Sequence, residues 1–419
     1  MKEAIKRNYQ WVIVVSCFVL CFTGLGFCSG NKGLFLTAVT EALNIPRGTY
    51  AISDSLRYVA TAATNLFFGT LIMKFGTRTL VAVGTGAMAL SCLCSSLATN
   101  VLGIYAGGAL LGLGLSFGGT TMVGYIVKRW CKKNQGTILG AVMCANALGT
   151  AVSAPVVSQM INNGDVFGYR DAYRAMAVIM LVVGVVLVIL FRDAPENDTL
   201  PVEQKAKNGG SWTGVTFGEA IRQPYFYISC LCIFLTGAVL QSVNGVAAAH
   251  MEDRGLGDGF IATVTSIFSL SLAASKFLTG FLYDKKGLRF TMLVCDVSSV
   301  VMILLLASVT ANAQGQVIAL VYAVLAGLAL PLETIMLPLI AGDLFGEKEY
   351  GKMLGICVSA NTAGYAVGPL VSNICFDALG TYTPVFFVYG AIMVGVAVAF
   401  MYALKKANDT RAQKCTRED

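Results

Sequence analysis

An all-α polytopic membrane protein, with twelve transmembrane helices in two six-helix bundles, is the architecture that three observations predict for this sequence. First, 56% of the 419 residues are hydrophobic, 13% are charged and 45 are glycine, more apolar side chain than a water-facing surface absorbs. Second, apolar runs of about 20 residues, the length that crosses a hydrocarbon core about 30 Å thick, recur from Trp11 to Leu404. Third, the longest polar interval, from Asp193 through Gln223, divides those runs six and six.

In chain order the expected spans are 11–36, 50–73, 79–99, 101–127, 136–160 and 173–191 in the first half. Those of the second half are 225–249, 260–283, 290–310, 316–341, 352–376 and 383–404. None shows the short alternating pattern of outer-membrane strands, and backbone polar groups in lipid must be satisfied within the segment, so each run is read as a helix. The first run is too long and too poorly matched to a cleavage site for a signal peptide. The expected domains are a bundle over 1–193, a cytoplasmic linker over 194–223, a second bundle over 224–404 and a cytoplasmic tail over 405–419.

Basic residues set the orientation. One side receives Lys2, Lys6 and Arg7, then Lys74 and Arg78, then Lys128, Arg129, Lys132 and Lys133, then Arg192, Lys205, Lys207 and Arg222. It also receives Lys285, Lys286, Arg289, Lys348, Lys352 and the basic residues of the C-terminal tail, whereas the other side holds Arg47, Arg170, Arg174 and Arg254. Positive-inside then puts both termini in the cytoplasm of a plasma (inner) membrane, and the net charge of +7 reflects topology, not nucleic-acid binding.

Internal repetition supports the division into halves. "GTILGAVMCANALGTAV" at 136 returns as "GKMLGICVSANTAGYAV" at 351, pairing Gly140 with Gly355, Asn146 with Asn361 and Gly149 with Gly364. "GTLIMKFGTR", which follows span 2, returns as "GFLYDKKGLR" after span 8. The second copy, with Gly280, Asp284, Lys285, Gly287 and Arg289, resembles the helix 2–3 signature of the major facilitator superfamily. The first copy keeps Gly69, Gly76 and Arg78 but has Met73 where the acid belongs. The resemblance implies secondary transport by alternating access, with substrate held between like-oriented halves and these loops acting in gating.

Three basic residues lie within spans: Lys32, Arg57 and Lys276. A charge at the centre of a lipid-facing helix costs about 2.5–3.5 kcal/mol on insertion scales, so such groups face a cavity or a partner. For Lys32, in "FCSGNKGLFLTAV", snorkelling competes with an anion site in which Gly30 and Gly33 leave room and Asn31 adds a polar neighbour. Snorkelling competes for Lys276 as well, and a local pair with Asp54 competes for Arg57. Glu333, between Pro331 and Pro338, is read as a partner for a lysine or as a protonatable coupling group. Asp296 falls nearer the start of span 9, and His250 is read as a solvated cap at the end of span 7.

A lysine in helix 1 resembles that of monocarboxylate transporters, and a basic residue four positions before the loop glycine resembles the helix 8 arginine of those transporters and of oxalate/formate antiporters. The resemblance implies a small carboxylate substrate bound by Lys32 and Lys276. Gln241, Asn244, Asn361 and Tyr365 are the expected hydrogen-bonding neighbours. Leu272 stands where the monocarboxylate branch has an acid, which favours anion exchange over proton-linked symport, and Asn361 stands where the oxalate branch has a lysine.

The rival classes are weaker. "GLSFG" at 114–118 matches a serine-hydrolase pattern without its strand-turn-helix setting, and close helix packing explains its glycines. "GTGAMA" at 84–89 imitates a dinucleotide fingerprint inside a helix. One histidine and scattered cysteines give no metal-site spacing, so no cofactor, metal or enzymatic role is expected. A membrane ligand sensor is the non-transport alternative. The expected partners are a small carboxylate, the lipid bilayer and a proton or counter-anion, with the chain acting as a monomer.

Overall fold

The computed structural model describes residues 2–131, 133–161, 167–192 and 214–418, and residues 194–213 of the expected linker lie outside the described residues. The chain divides into two compact units, Met1–Pro195 and Glu196–Asp419. Among the described residues ten helical stretches are long and apolar enough to cross a membrane. Two of them are each broken once by a glycine, which gives the twelve expected spans.

In the first unit, span 1 occupies Tyr9–Ala42. It is not one regular helix: an α-helix to Leu20 widens into a π-helical stretch, Cys21–Ser29, tightens into a 3-10 turn, Lys32–Leu34, and resumes as an α-helix over Phe35–Ala42. Spans 2 and 3 are the two arms of Arg47–Leu97. Span 4 covers Val101–Trp130 with a break at Gly119, span 5 covers Gln135–Ile161 and span 6 covers Gly168–Leu190.

In the second unit, span 7 is Pro224–Asp253, and spans 8 and 9 are the arms of Asp258–Ala307. Span 10, expected as one helix over 316–341, is interrupted. Ala313–Ala329 leads into a 3-10 turn, Leu330–Glu333, and a separate helix, Met336–Phe345. Pro331 accounts for the break, because its ring excludes the carbonyl one turn back and it donates no hydrogen bond. Span 11 is Tyr350–Leu379 and span 12 is Thr383–Glu418. The expected tail from 405 is thus a continuation of span 12, carried by helix-favouring Ala, Lys, Arg and Gln residues.

The loops expected after spans 2 and 8 shrink to single residues. Gly76 has φ 74° and ψ 169°, and Gly287 has φ 79° and ψ 176°, with helix on both sides. This backbone region is open essentially to glycine alone. The repeated signature therefore specifies the same one-residue break in both halves.

Glycine also sets the closest packing, and again twice. A Cβ on Gly149 would run into the Phe22 carbonyl, and one on Gly26 would lie 2.7 Å from the Asn146 carbonyl oxygen. In the second unit, a Cβ on Gly364 would run into the Phe234 carbonyl and lie 2.6 Å from the Ala238 nitrogen. Spans 1 and 5, like spans 7 and 11, thus touch backbone to backbone, which explains why the repeat matches Gly149 to Gly364.

The described end of the linker is folded onto the second unit. Gly214 forms an isolated antiparallel bridge with Gly346, the Val215 N–H donates to the Phe345 carbonyl at 2.9 Å, and Thr216 and Glu219 form a capping box on the short helix Phe217–Ala220. The Glu349 carboxylate accepts from the Phe217 N–H and, at 2.7 Å, from Lys352 Nζ. Partial burial pushes the Glu349 carboxyl up, but the bonds from Lys352 and Phe217 and the charges of Lys352 and Lys348 outweigh it and hold it below the usual carboxylate value.

Two outcomes are expected. Gly76→Ala and Gly287→Ala each force a Cβ into the forbidden region, cost about 1–3 kcal/mol, and lower the midpoint of thermal unfolding followed by circular dichroism in detergent. A depressed folded pKa gives Glu349 a contribution that is complete above its unfolded value, about 4.3, and is lost as pH falls through the folded value. Proteolysis near residue 214 should therefore accelerate in acid, and Glu349→Gln should make it fast at neutral pH.

Candidate functional site

The first unit concentrates charge around one carboxylate. Lys32 opens the 3-10 turn of span 1, where the Leu34 N–H bonds back to the Asn31 carbonyl at 3.0 Å. Its Nζ donates to Ser53 Oγ at 2.9 Å and to Asp54 Oδ1 at 2.8 Å, and its side chain is 12% exposed. The Tyr50 ring centroid lies 5.8 Å from the same ammonium. Arg57, one turn after Asp54, brings Nη2 to 3.3 Å from that same Oδ1, while Nη1 donates to Ser29 Oγ at 2.8 Å. The guanidinium stacks 4.6 Å from the Tyr58 ring centroid, and its Nε is buried with no hydrogen-bond partner.

Span 4 fixes this stretch of span 2. A Cβ at Gly108 or Gly112 would run into the carbonyl of Ser53 or Arg57, and Thr61 Oγ1 donates to the Gly112 carbonyl at 2.9 Å. The two backbones are held at a separation only glycine allows. Lys32 also lines a small cavity within the unit, with Tyr50, Ser91, Ser95 and Tyr173 on its walls.

The snorkelling reading of Lys32 is corrected by these bonds, and so is the space expected at Gly30. A Cβ at Gly30 would strike the Thr150 side chain, so that residue serves packing between spans 1 and 5, whereas the Gly33 position is open. Asn31 is buried and donates to the Phe27 carbonyl at 3.0 Å and to Ser153 Oγ at 2.5 Å, and its Oδ1 has no partner. It ties spans 1 and 5 together beside Lys32.

In the second unit, Lys276 is 2% exposed and engaged by a neighbouring group, which corrects snorkelling there too. Asn361 is buried, with Nδ2 donating to the Ile233 carbonyl at 3.4 Å. Gln241 is half-buried and engaged, and Asn244 is exposed. Glu333, beside Tyr365, sits buried in the 3-10 turn of span 10 with Oε1 unpartnered. Asp296 lines a small cavity with Thr236 and Asn361, and its Oδ2 has no partner. His250 is not the solvated cap expected. It is buried, with Nε2 3.1 Å from the Leu306 carbonyl oxygen and its ring edge-on to Phe386 at 4.9 Å.

Gly69 and Gly280 are buried, while Arg78, Lys285 and Arg289 are exposed, as is Asp284, which is engaged by a neighbour. Lys285 Nζ sits 4.5 Å from the Phe281 ring centroid. What the sequence left unseen is the bond between Lys32 and Asp54. The Asp54–Arg57 spacing was legible, but no periodicity connects residue 32 with residue 54. Ser29, Ser53 and Tyr50 carried no signal of their own.

The sequence model of the Major Facilitator Superfamily matches residues 17–256 and 229–417. The sialic acid transporter NanX of Escherichia coli (strain K12) is 24% identical, over 83% of this chain and 80% of its own length. Monocarboxylate transporter 12-B of Danio rerio is 23% identical over 92% of this chain and 85% of its own. The oxalate:formate antiporter of Oxalobacter formigenes is 24% identical over 87% and 85%. Among solved structures, the proton:xylose symporter XylE bound to 6-bromo-6-deoxy-D-glucose superposes with a TM-score of 0.74 at 15% identity, covering 95% of this chain and 96% of that one. Helical spans, paired glycine breaks and family match agree: the chain belongs to the Major Facilitator Superfamily of membrane transporters and is not an enzyme.

Proposed function

We propose that the chain is a secondary active transporter of small organic anions, mono- or dicarboxylates, that works by alternating access and exchanges one anion for another. One observation carries the reading. Two cations, Lys32 and Arg57, share a single carboxylate oxygen of Asp54, which leaves a surplus positive charge where water is scarce. At low dielectric such a surplus attracts an anion far more strongly than in bulk water.

Three relatives support the chemistry by what their names state they carry: sialic acid, monocarboxylates, and oxalate with formate. Lys276 is the third proposed cation, from the other half of the chain. Asn31, Gln241, Asn244, Asn361 and Tyr365 are the proposed hydrogen-bonding groups, and the termini are proposed to be cytoplasmic. Leu272, in place of an acid one turn before Lys276, favours exchange. One observation favours a second reading, proton-linked uptake: Glu333 is buried with an unpartnered oxygen, as a group that gains and loses a proton would be.

Purified protein in liposomes, offered labelled lactate, formate, oxalate and sialic acid, should show counterflow of at least one. Counterflow of none would reject the carboxylate reading. Uptake driven by an inward proton gradient without internal anion, and abolished in Glu333→Gln, would replace exchange by symport. Lys32→Ala and Lys276→Ala are each expected to abolish counterflow while eluting from size exclusion as folded protein. Full activity in either would show that charge to be structural.

A further inference from the structure

The Arg57 fork is half filled. A guanidinium offers Nε and an Nη as a planar pair that matches the two oxygens of a carboxylate. Asp54 presents one oxygen, to Nη2 at 3.3 Å, and leaves Nε buried without a partner. An unsatisfied buried donor is costly to fold around, and here it sits on a residue locked by Ser29 and by the Tyr58 ring. Asp54 is the most accessible member of the group, its side chain 39% exposed against 12% for Lys32 and 11% for Arg57. The cations are therefore fixed and the carboxylate is the part free to leave.

We propose that Asp54 is a resident stand-in for the substrate: in the empty carrier it occupies the Lys32–Arg57 cation pair, and an incoming carboxylate displaces it, binding Arg57 through both Nε and Nη2. This inference rests on the carboxylate-transport reading above. It assigns Arg57 the orienting contact and makes Asp54 an internal competitor that weakens binding and hastens release. The competitor's charge also keeps the empty pair from standing as two uncompensated buried cations, which repel each other.

The two roles open to Asp54 differ in sign. If the side chain only braces Lys32 and Arg57, its removal weakens anion binding. If it competes, removal tightens it. In liposome counterflow of labelled lactate, formate, oxalate and sialic acid, using whichever the wild type exchanges, Asp54→Asn is expected to lower the half-saturation concentration about ten-fold and reduce the maximal rate. Asp54→Glu, which restores the charge, is expected to return the half-saturation toward the wild-type value. Arg57→Lys, which keeps the charge but removes the fork, is expected to raise the half-saturation about ten-fold with Asp54 intact, and it supplies the test if Asp54→Asn does not fold.

An unchanged or raised half-saturation in folded Asp54→Asn, or wild-type affinity in Arg57→Lys, overturns the proposal while leaving carboxylate transport standing. A wild type that exchanges none of the four anions overturns the underlying reading instead.

Discussion

A carboxylate oxygen claimed by two cations is the constraint around which the first bundle is arranged. Removing ions from water costs several kcal/mol each even after relaxation, and attraction repays that only where the geometry is good. Asp54 meets the condition for Lys32 and incompletely for Arg57. Ser53, Ser29 and the rings of Tyr50 and Tyr58 supply what remains. Span 1 is irregular at the same place, with Lys32 in a 3-10 turn flanked by π-helix and α-helix. Such departures from regular helix recur at functional sites.

Small residues make the arrangement rigid enough to matter. Span 4 presents Gly108 and Gly112 to the backbone of Ser53 and Arg57, and span 5 presents Gly149 to span 1. Each contact fixes one of the two elements that carry the charges. In lipid the hydrophobic effect does not drive helices together, so close backbone approach and interhelical hydrogen bonds do that work. The second bundle repeats the pattern, with Gly364 and Gly368 of span 11 pressed against span 7. There it adds a hydroxyl cluster in which Ser372 and Ser242 lie 2.5 Å apart and Ser372 and Tyr389 lie 2.8 Å apart.

How much of this was legible depends on the range of the interaction. The spans could be read because lipid imposes length and polarity on every residue of a run, and the halves because the repeats preserve the glycines that packing requires. The break in span 10 was written in Pro331 and went unread. The one-residue breaks at Gly76 and Gly287 looked like loops, since a basic cluster suggests exposed turn whether or not helix continues through it. At the candidate site, Lys32 and Arg57 stood out as charges in apolar runs, and Asp54 stood out only as the neighbour of Arg57. The contact that joins them spans 22 residues and two helices, and no local pattern encodes it.

The glycine breaks have a consequence at the level of the gene. At Gly287 the space around the missing Cβ is empty, so a larger residue meets no neighbour there, and only its own backbone objects. Every missense change open to a glycine codon adds a Cβ, and with it the steric objection to φ 79° and ψ 176°. The codon has no unstrained missense neighbour, although the position is exposed and would ordinarily be read as free to drift. Gly76, half-buried, inherits the same backbone restriction from the same geometry, so two positions in opposite halves of the gene are bound by one rule of backbone chirality.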